Sequence, residues 1–571
     1  MSRPLRGVSL IDVIVGTFLV LVVFMTLFGL LRASILVSAV AKARASATSL
    51  ATSQLEYVRS LSYDSVGTIG GIPPGIVPQY ATTTLDNFTF VTRTFIGYVD
   101  DPADGEGAGD LTGITTDYKQ VKVTVSYFLN NKDREVSLVS NIVPPGLETS
   151  TGGGTLKIDV VTAAGAPLAG ASVHITNDSL NPSVDVTTFS NAVGVVYLPG
   201  AATSSEYQVS VTKSGYSTAA TYARDATNQN PTPGYLTVAK DQTTTGTFAI
   251  DVLAELVLRT FSPMERATTT DSFADASLIA SQSGTDASAG SLTLSGGVGT
   301  YPANGNARST AIAPGYLAAW HQLDADLSTP VGTEARVQVV DGLGTPLPNE
   351  VLPGNGSGFS SFPVSLTGIS TTTYPSLALV ANLSTNSSST TPAILSWSVS
   401  YDEGPVPLPD VPFTLQGAKT IGSTGAGAAI YKTNVSDTTG AGGTAELSLE
   451  WDVYSFVATG YDVVEACTAP PFTLAPGSAS DVRLMLDDAT SHMALVTVRD
   501  AGGTPVTGAS VTLSRTGYSE TVTTGGCGTA YFGGLTSGTD YTVLLQKSGY
   551  TDVSYTNVPI SGKTYYVASF E

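Results

Sequence analysis

The sequence predicts a multidomain, mainly β protein: a long N-terminal α-helix, transmembrane in its first half, then a small antiparallel sheet, then tandem β-sandwich modules. Three observations support this. An uncharged apolar run lies between Val13 and Leu31. Glycine (59) and proline (31) are abundant among Thr, Ser and Val, which is typical of strands joined by turns. A strand-and-turn pattern recurs in the second part of the chain, and 571 residues are too many for one hydrophobic core.

The apolar run is long enough to cross a membrane. As a helix it rises about 1.5 Å per residue, so its 19 residues match a hydrocarbon core of ~30 Å. It is too long for the apolar region of a secretory signal, and no cleavage site with small residues follows it. We therefore expect the segment to remain on the protein and to hold it at a membrane.

Beyond this run the apolar residues thin to one face of a helix. A single helix from about Val8 to Ser62 would be ~80 Å long. Turn residues between Ser62 and Gly75 end it. The apolar positions recur mostly every three or four residues, at Leu36, Val40, Ala43, Ala47, Leu50, Leu55, Val58 and Leu61.

A short basic leader ends at Gly7, Val8 opens the apolar stretch, and Asp12 lies inside it. This arrangement resembles the N-terminus of type IV pilin-like proteins, and Ala47–Thr68 resembles minor pilins and pseudopilins. The resemblance implies that a prepilin peptidase cuts after Gly7 and that Val8 is then N-methylated. Asp12 departs from the family pattern, in which glutamate is usual at this position, and its shorter side chain has less reach.

Asp12 has two interpretations. A carboxylate within an apolar helix is costly and usually marks a function or a partner. By the resemblance, Asp12 pairs with the terminal amine of an adjacent subunit during filament assembly, which offsets both desolvation costs. Alternatively, Asp12 is a helix N-terminal acid that interacts with the macrodipole in the headgroup region. The implied partners are other pilin subunits and the membrane.

Three strand-like segments follow the helix. The middle one alternates polar and apolar residues, as a half-buried strand does. Asn130–Arg134 is typical of a hairpin connection. We expect a small antiparallel sheet of the pilin type, packed on the helix. The predicted strands are Phe88–Val99, Asp117–Phe128 and Arg134–Val143.

An acidic, glycine-rich loop lies between the first two of these strands. Carboxylates in such a loop can bind a hard cation such as Ca²⁺, the one cofactor that the sequence suggests. The spacing does not match an EF-hand, and a solvated acidic loop is the alternative interpretation. The candidate ligands are Asp100, Asp101, Asp104 and Asp110, with Glu106 close by.

Two later segments, Leu156–Ile175 and Ala494–Leu513, share a pattern of strand, turn and strand, and a later strand of each module ends in Lys-Ser-Gly-Tyr. A looser copy begins at Pro407. These copies resemble carboxypeptidase-regulatory-like or Cna-B-like β-sandwiches. Some Cna-B-like modules carry a Lys–Asn isopeptide bond; Lys157 occupies a suitable strand, but the closing strands lack the asparagine, so we expect no such bond.

Residues between the first and second copies predict a different unit, a β-sandwich of the jelly-roll type. Such domains often bind sugars, so Trp320, His321 and Trp397 are candidate contact residues, although tryptophans in a sandwich more often belong to the core. The predicted domains are a leader (1–7), the helix (8–62), a pilin-like head (63–148), a Cna-B-like sandwich (149–252), a jelly-roll-like sandwich (253–404), a divergent Cna-B-like sandwich (405–490) and a carboxypeptidase-regulatory-like sandwich (491–571).

The two cysteines, Cys467 and Cys527, have no metal-ligand spacing. In an extracytoplasmic region they could form one disulfide between neighbouring modules, worth roughly 4 kcal/mol in the chain-entropy model. Two buried free thiols are the alternative.

Charge and composition restrict the function classes. The first 60 residues carry a net charge of +4, which leaves −25 for the remainder, and this argues against nucleic acid as a partner. The three histidines fall in separate predicted modules, and no phosphate-binding loop or carboxylate pair stands out. We expect no catalytic residues and a protein that is not an enzyme.

The sequence favours a minor type IV pilin or pseudopilin, and the size of the extension fits best a rare or tip subunit. It would be a single-pass cytoplasmic membrane protein before assembly and part of an extracellular filament afterwards, presenting its sandwiches to a surface glycan or protein. Two alternatives stay open: a membrane-anchored modular surface protein that does not assemble, and a surface hydrolase with a carbohydrate-binding module.

Overall fold

The computed structural model describes residues 10–101, 116–145 and 152–570. The long helix, α1, spans Leu10–Arg59, and a short 3-10 helix, Tyr63–Ser65, follows it. The other described residues form strands, turns and connecting segments, apart from one more short 3-10 helix, Asn355–Ser357. The chain is thus mainly β with one long N-terminal helix, as the composition and the apolar pattern predict.

The first β unit, which we call the head, is a four-stranded antiparallel sheet in the order β1-β2-β3-β4. The predicted strands match β2 exactly in residue range and β3 and β4 to within one residue. The prediction omits β1, because its side chains are mostly exposed and leave no alternating pattern. Asn130 and Asn131 adopt positive φ in the tight turn between β3 and β4, as the predicted hairpin requires. The strands are β1 (Tyr80–Leu85), β2 (Phe88–Val99), β3 (Tyr118–Phe128) and β4 (Asp133–Ile142).

The second unit, the first sandwich, consists of two sheets. One has the order β13-β5-β8, with β5 and β13 parallel; the other has the order β10-β9-β6-β7, with β12 on β9. One apolar cluster fills the space between the sheets. The strands are β5 (Gly154–Val161), β6 (Ser172–Asn177), β7 (Val184–Phe189), β8 (Val195–Ala201), β9 (Ser204–Thr212), β10 (Ala219–Ala220), β11 (Asn230–Pro231), β12 (Leu236–Val238) and β13 (Thr243–Ala249).

After β14 (Ala254–Ser262) the chain enters a separate unit, the inserted module. Its two antiparallel sheets enclose a core of their own. One sheet has the order β17-β18-β24-β20-β22, with β15 on β24; the other has the order β16-β19-β23-β21. The strands are β15 (Glu265–Asp271), β16 (Ile279–Ser283), β17 (Thr285–Ser288), β18 (Ser291–Leu294), β19 (Asn304–Ser309), β20 (Leu317–Ser328), β21 (Thr333–Asp341), β22 (Val364–Ser365), β23 (Leu377–Thr385) and β24 (Ala393–Glu403).

The second sandwich begins with β14 and resumes after the inserted module. One sheet has the order β25-β14-β34-β32, with β30 on β14, and the other has the order β29-β26-β31-β33. The strands after the insertion are β25 (Val406–Pro407), β26 (Pro412–Gly417), β27 (Thr420–Ser423), β28 (Ala429–Tyr431), β29 (Asn434–Thr438), β30 (Thr444–Leu449), β31 (Asp452–Ala458), β32 (Tyr461–Ala466), β33 (Phe472–Leu474) and β34 (Ala479–Asp488).

The third sandwich is the last unit, with sheets β38-β35-β41 and β37-β36-β39-β40. It repeats the topology of the first, because its first and last strands, β35 and β41, also pair in parallel. The strands are β35 (Met493–Arg499), β36 (Ser510–Arg515), β37 (Tyr518–Thr523), β38 (Thr529–Phe532), β39 (Gly538–Gln546), β40 (Val553–Ile560) and β41 (Lys563–Ser569).

The predicted boundary at residue 253 is wrong. β14 pairs in parallel with β34, just as β5 pairs with β13 and β35 with β41, so it is the first strand of the second sandwich. Its buried residues Ala254, Leu256 and Leu258 belong to that sandwich's core. The prediction assigned β14 to the jelly-roll-like domain because the insertion separates the strand from its partners by well over 100 residues.

The insertion replaces the turn between the first two strands of the sandwich. In the first and third sandwiches, short turns connect these strands. In the second sandwich, Ser262 pairs with Val406 immediately before and after the insertion. The two ends of the inserted module are therefore neighbours, which is the usual condition for a tolerated domain insertion.

Joining Met264 directly to Gly404 should remove the inserted module and leave the second sandwich folded, because the junction only has to form a short turn between paired strands. Thermal unfolding and limited proteolysis of the purified protein would measure this. The matched control is deletion of residues 254–403, which also removes β14 and should unfold the second sandwich. Equal behaviour of the two deletions would contradict the assignment of β14.

Candidate functional site

The first half of α1 exposes an extended apolar surface. It contains an 18-residue window of mean hydropathy 2.4, none of it buried, so the helix is long and apolar enough to cross a membrane. Phe18, Phe24 and Phe28 are 64%, 69% and 73% exposed. Fully burying each large apolar side chain yields about 1.5–3 kcal/mol, so covering this surface is worth roughly tens of kcal/mol. This exposed apolar surface fits a membrane-anchored or surface protein.

The predicted processing and assembly residues lie at the start of this surface. Gly7 and Val8 fall outside the described residues. Asp12 lies in the first turns of α1, but its side chain is outside the described part of the chain. Cleavage, methylation and the pairing of Asp12 therefore stay predictions.

The second half of α1 packs on the head. Ala43, Ala47 and Ala51 have no exposed surface, and Leu55 and Val58 continue the same face. They form one cluster with the inward residues of β2 and β3. Alanines at four-residue steps share one side of a helix, and their small side chains allow the backbone to lie close to the sheet.

Polar contacts surround this packing. The Gln54 side-chain amide donates to the Thr94 hydroxyl at 3.2 Å. The Arg59 guanidinium donates to the Ser140 hydroxyl at 2.8 Å, and the Lys42 ammonium lies 3.1 Å from a carboxylate oxygen of Asp86. These contacts tie both ends of the packed half of α1 to the sheet.

Lys119 holds the turn that follows α1. Its ammonium donates to the backbone carbonyls of Tyr63 and Val66, both at 2.7 Å, and lies 4.4 Å from the centre of the Tyr63 ring. Burial lowers the pKa of Lys119 to about 8, against a smaller opposing effect of Asp64. This lysine fastens the end of the helix to β3.

The acidic loop begins at the junction of the head and the first sandwich. Asp100 and Asp101 are described, whereas Asp104 and Asp110 lie outside the described residues. The Asp101 backbone N–H donates to the Asp117 carboxylate at 2.5 Å. Within residues 10–101, 116–145 and 152–570, no group of three or more His, Cys, Asp and Glu side chains could hold a metal ion. The Ca²⁺ site therefore stays a prediction.

The head and the first sandwich are joined through a polar and apolar contact. The Arg93 guanidinium donates to the Thr187 carbonyl at 2.5 Å and stacks on Phe189 at 4.7 Å. The Asp185 backbone N–H donates to the Gly70 carbonyl at 2.7 Å. Beside this joint lies an open cavity of about 810 Å³, lined by Phe95, Tyr98, Asp100, Lys157, Asn191 and Tyr197 among others.

The first sandwich also contacts the second directly. β11 pairs with β27 across the joint. The buried Asn228 donates its side-chain amide to the Ile421 carbonyl at 3.0 Å, and the Lys432 ammonium donates to the Thr218 carbonyl at 2.6 Å. Lys432 also lies 2.7 Å from Glu450, whose carboxylate is almost fully buried. The joint therefore combines backbone pairing with side-chain hydrogen bonds, and the ion pair within the second sandwich holds the Lys432 ammonium at the joint.

The second and third sandwiches share a buried interface. β35 is buried on both faces: Ala494 and Val496 point into the core of the third sandwich, and Met493 and Leu495 into that of the second. Its continuous apolar run, rather than an alternating one, is the sequence signal for two-sided burial. The structure joins Cys467 and Cys527 as a disulfide across this interface, with their Cα atoms 4.5 Å apart.

A buried carboxylate at this interface escaped the sequence prediction. Asp462 has no exposed surface and accepts hydrogen bonds from the Thr490 hydroxyl at 2.7 Å and the Tyr531 hydroxyl at 2.8 Å. The Lys563 ammonium contacts the other oxygen of the same carboxylate, and burial lowers the pKa of Lys563. Asp462 and Lys563 are about 100 residues apart in sequence, so no local pattern connects them.

Sugar stacking requires exposed aromatic rings, and the two candidate tryptophans of the inserted module are buried. Trp320 and Trp397 are 1% and 3% exposed and belong to its core. His321 is half-buried beside Trp320. The other two histidines lie in other parts of the chain. His174 is 2.8 Å from Asp185 in the first sandwich, and His492 accepts a hydrogen bond from the Gly562 backbone N–H beside the third sandwich. The described residues bring the histidines into no common site.

No family model matches the sequence, and no curated protein matches it. Among solved structures, the chain is similar to the TIE protein of Bacillus anthracis (11% identity, 86% of this chain, 73% of that chain, TM-score 0.16). It is also similar to BcpA, the major pilin subunit of Bacillus cereus (10% identity, 73% and 99% covered, TM-score 0.13), and to the shaft pilin SpaA of Lactobacillus rhamnosus GG (15% identity, 29% and 90% covered, TM-score 0.11). TM-scores this low do not establish a common overall arrangement.

Replacing Ala47 by leucine should loosen α1 from the head. The larger side chain has no space against β2 and β3, and overpacking of this kind costs about 1–3 kcal/mol. Hydrogen exchange of the α1 amides in detergent would show the loss as faster exchange over residues 40–59. Ala45→Leu is the matched control, because Ala45 is exposed on the same helix. Equal exchange in both variants would contradict the packing described above.

Replacing both cysteines by serine should lower the free energy of unfolding of the last two sandwiches by up to about 4 kcal/mol, the chain-entropy value for a 60-residue loop. The two sandwiches should nevertheless stay docked, because Met493, Leu495 and Asp462 hold the interface without the disulfide. Denaturant unfolding and limited proteolysis measure the two effects separately. Mass analysis of the untreated protein provides the check, since two free thiols in it would contradict the disulfide.

Proposed function

We propose that this protein is a minor subunit of a type IV pilus or of a pseudopilus, which a prepilin peptidase processes and which assembles through α1. The observation that carries this proposal is the division of α1 into two halves. One half is packed on a head, and the other is an unpaired apolar rod. A rod of this kind is suited first to a lipid bilayer and then to a bundle of equivalent helices, since both cover its surface.

The position of the remaining units supports a filament subunit with an outward extension. The head lies against the end of α1, and the first, second and third sandwiches follow in a series of direct joints. The joints contain backbone pairing, buried ions and a disulfide. Force or binding at the far sandwich is therefore transmitted to the helix through ordered contacts.

The size of the extension favours a rare or tip subunit. Three sandwiches and an inserted module project from one head, and the chain has 571 residues. In a filament the helices pack side by side, so an extension this large on every subunit would crowd its neighbours. One such subunit at the end of a filament meets no such obstacle.

Processing at Gly7 and assembly through Asp12 belong to the same proposal. The peptidase leaves Val8 as a new amine, and the carboxylate of Asp12 then neutralises the amine of a neighbouring subunit. An unpaired charge in an apolar bundle costs several kcal/mol, so arrangements of the helices that pair the amine with the carboxylate are favoured over those that do not. The extension presents the sandwiches outside the cell, where they bind a surface glycan or protein.

A second candidate function is a membrane-anchored surface protein that never assembles. The apolar half of α1 favours it equally, because lipid alone can cover that surface. The two functions differ in the fate of the leader and in the effect of Asp12.

Replacing Asp12 by alanine should reduce incorporation into filaments at least tenfold while leaving the amount in the membrane unchanged. Immunogold labelling of sheared filaments and of membranes would measure both. Asp178→Ala, which removes an exposed carboxylate of the first sandwich, is the matched control.

Intact-mass analysis of the same filaments should show loss of residues 1–7 and one added methyl group on Val8. Retention of the leader in cells with an active prepilin peptidase would overturn the proposal. Label that stays in the envelope for both variants would favour the non-assembling anchor.

A further inference from the structure

The outer face of one sheet of the inserted module is covered by polar side chains. In the sheet β16-β19-β23-β21, alternate residues point into the core and the others point to solvent. The strand register aligns the outward residues in rows across the sheet. One row is Ser283, Asn306, Asn382 and Arg336, and the next is Asn304, Ser384 and Glu334. We call these seven residues the amide face.

The three asparagines of the amide face have free hydrogen-bonding groups. No described residue donates to or accepts from the side-chain amides of Asn304, Asn306 or Asn382. The two charges of the face neutralise each other, since the Arg336 guanidinium lies 2.5 Å from a Glu334 oxygen and also donates to the Gly358 carbonyl. The face is therefore neutral and rich in unused donors and acceptors.

The backbone beneath this face is packed on the core of the inserted module. Ala307, Ala335 and Ala381, on the same strands, are buried in the core of the inserted module on the opposite side of the sheet. Side chains on adjacent strands are held about 4.8 Å apart and alternate residues about 7 Å apart. The free amides thus form a fixed array rather than groups on loops, around a shallow cavity of about 340 Å³.

The position of the module in the chain also distinguishes it. The three sandwiches form the series of joints that leads away from the helix, whereas the inserted module branches from a turn of the second sandwich. Its strands pair only with one another. A branch of this kind can engage a ligand without disturbing the joints.

We infer that the amide face binds a neutral, polyhydroxylated chain, that is, a neutral oligosaccharide. Each asparagine offers a carbonyl acceptor and an NH₂ donor, and a pair of neighbouring hydroxyls on a sugar ring presents the complementary acceptor and donor. The one positive charge of the face is already paired, so the face offers no cation to an acidic ligand. The chain as a whole carries a net charge of −21, which also disfavours binding of an acidic ligand.

Binding to the amide face should be weak, because none of its seven residues is aromatic. Trp320 and Trp397 are buried, so the face binds through hydrogen bonds that exchange with water and contribute little each. A single chain should therefore bind weakly, with a dissociation constant of about 1 mM, which a few hydrogen bonds of this strength can supply. Several copies on one surface raise the apparent affinity by avidity.

This inference rests on the proposed function in one respect: it names the class of ligand that the extension binds outside the cell. Binding by the purified full chain in detergent does not depend on processing or assembly. An unprocessed protein that binds the glycan would refute the pilin proposal alone, and an assembled protein that does not bind would refute the inference alone.

The test is a glycan array that displays neutral hexose and N-acetylhexosamine oligosaccharides together with sialylated and uronic-acid oligosaccharides, probed with the full chain coupled to beads. We expect binding to a subset of the neutral glycans. The double variant Asn306→Ala/Asn382→Ala should weaken this binding at least tenfold. Asn434→Ala, which removes an exposed amide from β29 of the second sandwich, should leave it unchanged.

Unfolding curves of the variants show whether the inserted module stays intact, and because both asparagines are exposed we expect no change in the midpoint. Three results would overturn the inference: no binding to any glycan, binding to acidic glycans only, or equal binding by the double variant.

Discussion

The structure depends on one constraint, the exclusion of the apolar half of α1 from water. The head covers the helix only from about Ala43 onward, and the large side chains before that point are exposed. The free energy of covering them exceeds the stability of a typical domain, which fits a helix held in an apolar environment; a membrane and then a bundle of equivalent helices are the environments that we propose. That requirement fixes one end of the molecule and leaves the β units to extend from the other.

Direct contacts between successive β units connect the outer sandwiches to the head and the helix. Each joint uses a different interaction: an arginine stacked on a phenylalanine, a short β ladder with side-chain hydrogen bonds to backbone carbonyls, and a strand buried on both faces beside a disulfide. Buried charges such as Glu450 and Asp462 are costly unless fully paired, and both lie against lysines. Such contacts have only one geometry that satisfies every group, which favours a defined orientation over a flexible string of domains. The inserted module is the exception, since it branches from a turn.

Local patterns predicted much of this fold. The period of the apolar residues predicts α1 and its buried face, alternation predicts β2 to β4, and the repeated strand-turn-strand segments predict the sandwiches. The omissions have a common cause. β1 has little burial, and β14 has its partners beyond an insertion, so neither leaves a signal within its own neighbourhood. Among the candidate site residues, Trp320 and Trp397 belong to the core, whereas Gly7, Val8, Asp104 and Asp110 lie outside the described residues and stay predictions.

The mainly β class, the membrane-length helix and the recurrence of one sandwich type follow from the amino-acid sequence, because each depends on residues that are neighbours along the chain. The assignment of β14 to the second sandwich, the branch point of the inserted module and the contact between Asp462 and Lys563 are visible only in the folded chain. The fold also brings the asparagines of two strands into one face. These features depend on contacts between residues tens to hundreds of positions apart, and such contacts arise only when burial and backbone pairing select one arrangement among many.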